Sequence, residues 1–205
     1  MSKKLLISLA PLAVTAAFAV MPASALAVPH AYQNGSKIAE AEPLPTISWG
    51  NIKLTNATLG EVECHNAVGG VSENPAGGGA AVGKVESFNP YSCVAEGCAS
   101  LGGKIKVLPE KLPWAVEVIE ESGVFRNKTT GVNVTIDCEG VISVLFHGEN
   151  KPKAKNGSAI GSKPSEAEFD EGSGSLESEV GPGKTGGKLV VQGYKKEEVI
   201  AIKNP

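Results

Sequence analysis

The 205-residue chain has a single arginine, Arg126, and only three histidines, His30, His65 and His147. Past residue 21 it has no window apolar enough to cross a bilayer, and no segment carries a 3.6-residue apolar stripe over three turns. It shows no repeat of fixed period and no composition shift that would mark a second domain. Each shortage excludes something. Nucleic acid is gripped by Arg and Lys clustered on one face, so one arginine among mixed charges speaks against such a partner. Without helical periodicity, helix is limited to a turn around Pro109–Leu112. The histidines and cysteines lack the paired C-x2-4-C and H-x3-5-H spacing of a zinc site, so no metal and no cofactor is expected.

What is present begins at the amino terminus. Lys3 and Lys4 precede an apolar run from Leu5 to Met21, and Ala25-Leu26-Ala27 supplies small residues at cleavage spacing. That layout predicts a signal peptide over 1–27, cut after Ala27, with no membrane span left afterwards. Residues 1–27 hold two of the 19 basic residues and none of the 22 acidic ones, so the remaining 178 residues carry a net charge of −5. A chain of that length buries roughly 70% of its unfolded surface, enough for one good core.

Export makes the four cysteines, Cys64, Cys93, Cys98 and Cys138, a disulfide set rather than a redox or metal clip. Alternation places Val62 and Cys64 on one face of "GEVECHN", and Val132, Val134, Ile136 and Cys138 on one face of "GVNVTIDC". Two inward cysteines favour a Cys64–Cys138 bridge, leaving Cys93–Cys98 as a local staple. In a chain-entropy argument the long bridge is worth about 4–5 kcal/mol and the short one about 2.

Short alternating runs follow one another from Thr46 onward, with turn signals between them. Strands are predicted near 46–55, 60–67, 81–88, 103–108, 114–120, 123–127, 131–138, 141–149, 166–170, 174–179, 188–194 and 198–203. Residues 28–45, with Pro29, Pro43 and Pro45, read as an arm or linker before an all-β domain over 46–205. Closely spaced strands pair antiparallel. The expected architecture is a single disulfide-stapled domain, either a β-sandwich or a flattened up-and-down β-barrel.

Sites with chemistry are few. "GGAAVGKV" at 78–85 matches G-x-x-x-x-G-K, but Val85 stands where Ser or Thr should hold magnesium, and a strand rather than a helix follows. "GPGKTGG" at 181–187 reads as a turn. Pro29 denies His30 the backbone nitrogen that an amino-terminal copper site needs. His65 and Asp137 flank the two inward cysteines on the outer face, where a hydrogen bond between them is the simplest outcome. Ser143 and His147 share an outward face, with nothing to activate the serine. The acidic loop 169–179 has oxygen donors, but not at EF-hand positions. The sequons at Asn34, Asn56, Asn127, Asn133 and Asn156 read as turn residues. No catalytic residue is therefore expected.

The segments "ISWG" at 47–50, "GEVECHN", "YSCVAEGC", "LGGKIKVLPEKLPW", "KTTGVNVTIDC" and "LVVQGYKKEEVIAIK" together resemble a group of secreted actinobacterial β-rich proteins. The resemblance implies export, β structure and disulfides, and it implies no activity, ligand or catalytic residue. Function is accordingly expected to be that of a secreted or cell-envelope module that binds or supports without catalysis, its partner an extracellular or envelope ligand. A barrel-type carrier of a small ligand, with Trp114, Val116 and Val118 facing a lumen, is the alternative; a secreted hydrolase is a third.

Overall fold

Period-two alternation builds long strands, and glycine-bearing turns reverse them. The computed structural model describes residues 28–100, 102–158, 163–194 and 198–204; the expected signal peptide over 1–27 lies outside them. In chain order the strands are β1 (His30–Gln33), β2 (Ser36–Lys37), β3 (Leu44–Asn56), β4 (Gly60–Glu73) and β5 (Val82–Ala95), followed by a short helix α1 (Glu96–Ser100). Then come β6 (Ile105–Pro109), β7 (Trp114–Glu121), β8 (Val124–Cys138), β9 (Ile142–Asn150) and β10 (Lys153–Lys155). Last are β11 (Ser165–Phe169), β12 (Ser175–Leu176), β13 (Gly183–Gly193) and β14 (Ile200–Lys203).

The chain is all-β and antiparallel, and its main sheet closes on itself. Neighbours run β3–β4–β5–β7–β8 as a meander. From β8 the path passes to β10 through Arg126 and Lys153, on to β11 and β13, and back to β3 over ten residue pairs from Lys184–Thr55 to Gly193–Thr46. This is an up-and-down ring of eight strands, the barrel form of the expected architecture. Strand β8 is long enough to serve two layers: β7 and β6 share one edge, while β10 and β9 share the other.

Sharp coiling is needed to close so small a ring, and glycine provides it where strands crowd. A Cβ on Gly50 would lie 2.3 Å from the Lys188 carbonyl oxygen, and one on Gly70 would lie 2.1 Å from that of Lys84. Two bulges assist. Glu63 faces Val94 and His65 faces Tyr91, so Cys64 stands against both Ser92 and Cys93. The second bulge falls where Gly69 meets Ser87 and Gly70 meets Val85.

Apolar clusters sit at both ends. At one end Leu54, Val62, Ile136, Val144 and Phe146 pack with the cystines. At the other, Ala31, Ile38, Ala81, Val118 and Ile202 pack under a three-stranded sheet ordered β14–β1–β2. The arm at 28–45 thus folds onto the body as a cap. Asn34 and Gly35 turn the β1–β2 hairpin, both with positive φ as a type I′ turn requires. Asn74, fully buried, accepts from the Ala31 amide and donates to the Ala31 and Ile38 carbonyls.

Several expectations are corrected. The disulfides are Cys64–Cys93 and Cys98–Cys138, not Cys64–Cys138 and Cys93–Cys98. Cys64 and Cys138 do face inward, but on β4 and β8, which are not neighbours. The β4–β5 bulge brings Cys93 to Cys64, and α1 turns Cys98 away from Cys93 toward the end of β8. The spans 123–127 and 131–138 are one strand, bulged at Gly131. Most of "GPGKTGG" belongs to β13 rather than a turn. Asn127 and Asn133 sit within β8. Helix appears at Glu96–Ser100, not near Pro109.

Candidate functional site: the barrel lumen

Residues directly opposite on paired strands share a face, so one inward residue fixes the others around the ring. Leu54 is buried; Val62 and Thr185 oppose it. Val68 opposes Phe88, Val85 opposes Trp114, and Val116 opposes Thr129. Trp114, Val116 and Val118 therefore point into the lumen as expected, and all three line its cavity. Trp114 is held there from two sides. Its indole N–H donates to the Glu110 carbonyl at 2.9 Å, and its ring lies tilted 5.5 Å from that of Phe88.

The ring surrounds a cavity of about 240 Å³ with a predominantly apolar wall. Small residues line it at inward register positions. Gly70 opposes Val85, Gly83 opposes Val116, and Ala154 opposes Ala167. Four lining positions thus place at most a methyl group in the interior.

Charge is kept outside. Lys53 pairs with Glu61 at 2.8 Å and Glu63 at 3.3 Å, Lys155 with Glu168 at 2.7 Å, and Lys188 with Glu166 at 2.9 Å. The hydrogen bonds from Asn51 and then Lys53 hold the Glu63 carboxyl below the usual carboxylate range. An exterior of this kind differs from the apolar band of a membrane-spanning barrel. Among the described residues, no helix is long and apolar enough to cross a membrane.

Uncharged polar groups break the apolar wall at a few points. Asn66 donates to the Cys64 carbonyl, and Asn156 exchanges two hydrogen bonds with the backbone of Ile202. The Ser165 hydroxyl donates to the Ile200 carbonyl, so side chains from the β10–β11 region hold β14 over the cap end. Asn127, opposite Val118, and Asn150, opposite Thr129, also line the cavity. Neither side-chain amide has a hydrogen-bond partner among the described residues. The Thr185 hydroxyl and His30 Nδ1 are different, being fully shut away without a partner. Burial first, then the nearby Lys37 charge, holds the His30 imidazole below its ordinary pKa, against a smaller opposing pull from Glu40.

The other sequence candidates do not converge. His65 stacks on Tyr91 at 5.6 Å on the outer face, while Asp137 lies on β8, with two strands of the ring between β4 and β8. Ser143 and His147 are both exposed on β9 and make no side-chain hydrogen bond to each other. In the 169–179 loop the Asp170 carboxylate takes two hydrogen bonds from Arg126, at 2.8 and 3.1 Å, and caps the 3-10 turn Glu171–Ser173. No three His, Cys, Asp or Glu side chains among the described residues are grouped to hold a metal ion. Lys84, from "GGAAVGKV", lies exposed on β5, which continues as strand to Ala95 where a phosphate loop would start a helix.

Asn127 and Asn150 escaped the sequence reading, the first as a turn residue and the second as lying just past the strand expected over 141–149. The available signal was parity: Asn127 shares a face with Thr129, ahead of the bulge that shifts the alternation to Val132. No protein family, curated protein or solved structure matches the chain.

Proposed function

We propose that the protein is a non-enzymatic carrier that holds one small, largely apolar molecule inside its barrel, outside the cytoplasm. The observation that supports this reading is the cavity of about 240 Å³ inside a closed ring whose exterior is charged. A core meant only for stability fills its lumen with side chains, because each void forfeits contact energy. Here the inward glycines and alanines leave that space open. Eight-stranded rings are wide enough to hold one small ligand.

The two disulfides fit an oxidising, extracellular-type environment. Together with the sequence of residues 1–27 they support export with cleavage after Ala27, and a bacterial secreted or envelope setting in keeping with the resemblance noted above. Amino-terminal sequencing of the exported protein should then begin at Val28.

Binding is tested by adding naphthalene to isotope-labelled protein and following backbone amide resonances. Shifts should concentrate on β4, β7 and β8, and they should vanish in Val116→Trp or Ala167→Leu, each of which fills the lumen. Shifts confined to the exterior, or unchanged in both folded variants, would overturn the carrier reading.

A further inference from the structure

The lumen also restricts what it can hold. Every charged side chain at the cavity boundary is carried on an outward register position. Lys53 neighbours inward Ile52 and Leu54, Lys155 neighbours inward Ala154, and Glu166 neighbours inward Ser165 and Ala167. These three are committed to exterior ion pairs. Lys84, between inward Gly83 and Val85, is exposed. A charged ligand would therefore enter an apolar space with no counter-charge to meet it, a heavy penalty.

Two carboxamides do face the interior without protein partners, those of Asn127 and Asn150. A carboxamide offers both a donor and an acceptor, so it can serve a carbonyl or a hydroxyl equally well. Both side chains are half-buried and border open space, so a ligand oxygen would replace water as their partner. Size adds a bound. An engineered cavity of about 150 Å³ admits benzene, which scales to about ten non-hydrogen atoms for the volume here.

Resting on the carrier reading, we propose that the ligand is a neutral, mostly apolar molecule of that size bearing a single carbonyl or hydroxyl, which Asn127 and Asn150 hydrogen-bond. The polar group sits against these two residues, and the hydrocarbon body contacts Trp114, Val116 and Phe88.

The test uses the full chain with both disulfides and three probes on one skeleton: indane, 1-indanone and indane-2-carboxylate. Titration calorimetry should give 1-indanone an affinity about five- to tenfold above that of indane, the scale of one net hydrogen bond, with no measurable binding of the carboxylate. Asn127→Leu and Asn150→Leu should each shrink the ketone preference while retaining indane, which also reports that the variant is folded. Equal affinity of the wild-type protein for indane and 1-indanone would overturn this inference and leave the carrier reading standing. So would tighter binding of the carboxylate, or a ketone preference unchanged in both variants. Binding of none of the three would sink the carrier reading itself.

Discussion

Arg126, the lone arginine, occupies a position where a lysine could not do the same work. Its guanidinium is about nine-tenths buried and makes a two-pronged contact with Asp170, while one nitrogen also donates to the Lys151 carbonyl at 2.9 Å. A planar fork satisfies all of this at once; an ammonium would not. Gly172 leaves room for it, since a Cβ there would lie 2.3 Å from Nη2. The hydrogen bonds from Arg126, more than any other cause, hold the Asp170 carboxyl below its ordinary range. Because Asp170 ionises more readily folded than unfolded, its contribution is present above the unfolded pKa of about 3.9 and fades as pH falls through the folded value. Arg126→Leu should cost about 2 kcal/mol near neutrality, less than a fully buried pair because the Asp170 side chain is 35% exposed. Urea melts between about pH 6 and about pH 3 should show a smaller loss on acidification in that variant than in the wild type. None of this was legible in the sequence. The residue was visible, but its partner lies 44 positions away, and only ring closure at β8–β10 brings the two together.

At the scale of elements, the strands were the most readable part. Alternation places Val62, Cys64, Ile136 and Cys138 inward, and all four are buried. Pairing between distant strands was not readable, because inwardness says which face a cysteine occupies and nothing about which neighbour it meets. The cap was missed for another reason. Three prolines suggested a linker, although Asn34-Gly35 between short runs is itself a hairpin signal. Asn74 holds that cap: with no exposure and three hydrogen bonds to β1 and Ile38, it does locally what a neighbouring strand would do. Asn74→Ala should leave buried backbone groups unmet and cost about 2–4 kcal/mol. Hydrogen exchange should localise the damage, with the amides of Ala31 and Ile38 losing protection before those of β4 and β8. Uniform loss across the ring would show that the cap is not a separable unit.

For the whole molecule, each of the ring's eight strands pairs on both sides over part of its length, while the cystines fasten the end opposite the cap. Non-reducing peptide mapping should recover Cys64 joined to Cys93 and Cys98 joined to Cys138, with no free thiol. The closed loops, 29 and 40 residues in separation, are similar enough that chain entropy assigns each roughly 3–4 kcal/mol. Cys98 and Cys138 are both about 3% exposed, so replacing that pair by alanine also leaves a void. Denaturant melts should therefore find that variant the weaker of the two. The cap adds a property of a different kind. In β1 and β14 the earliest and latest described strands lie side by side, with His30 facing Lys203. Residues 28 and 204 are thus within reach of a short glycine-serine bridge. The polypeptide could be sewn into a circle and reopened at the exposed 76–78 loop without moving a strand. Tethered to a surface through β1 or β14, it would present the same cystine-fastened pole outward.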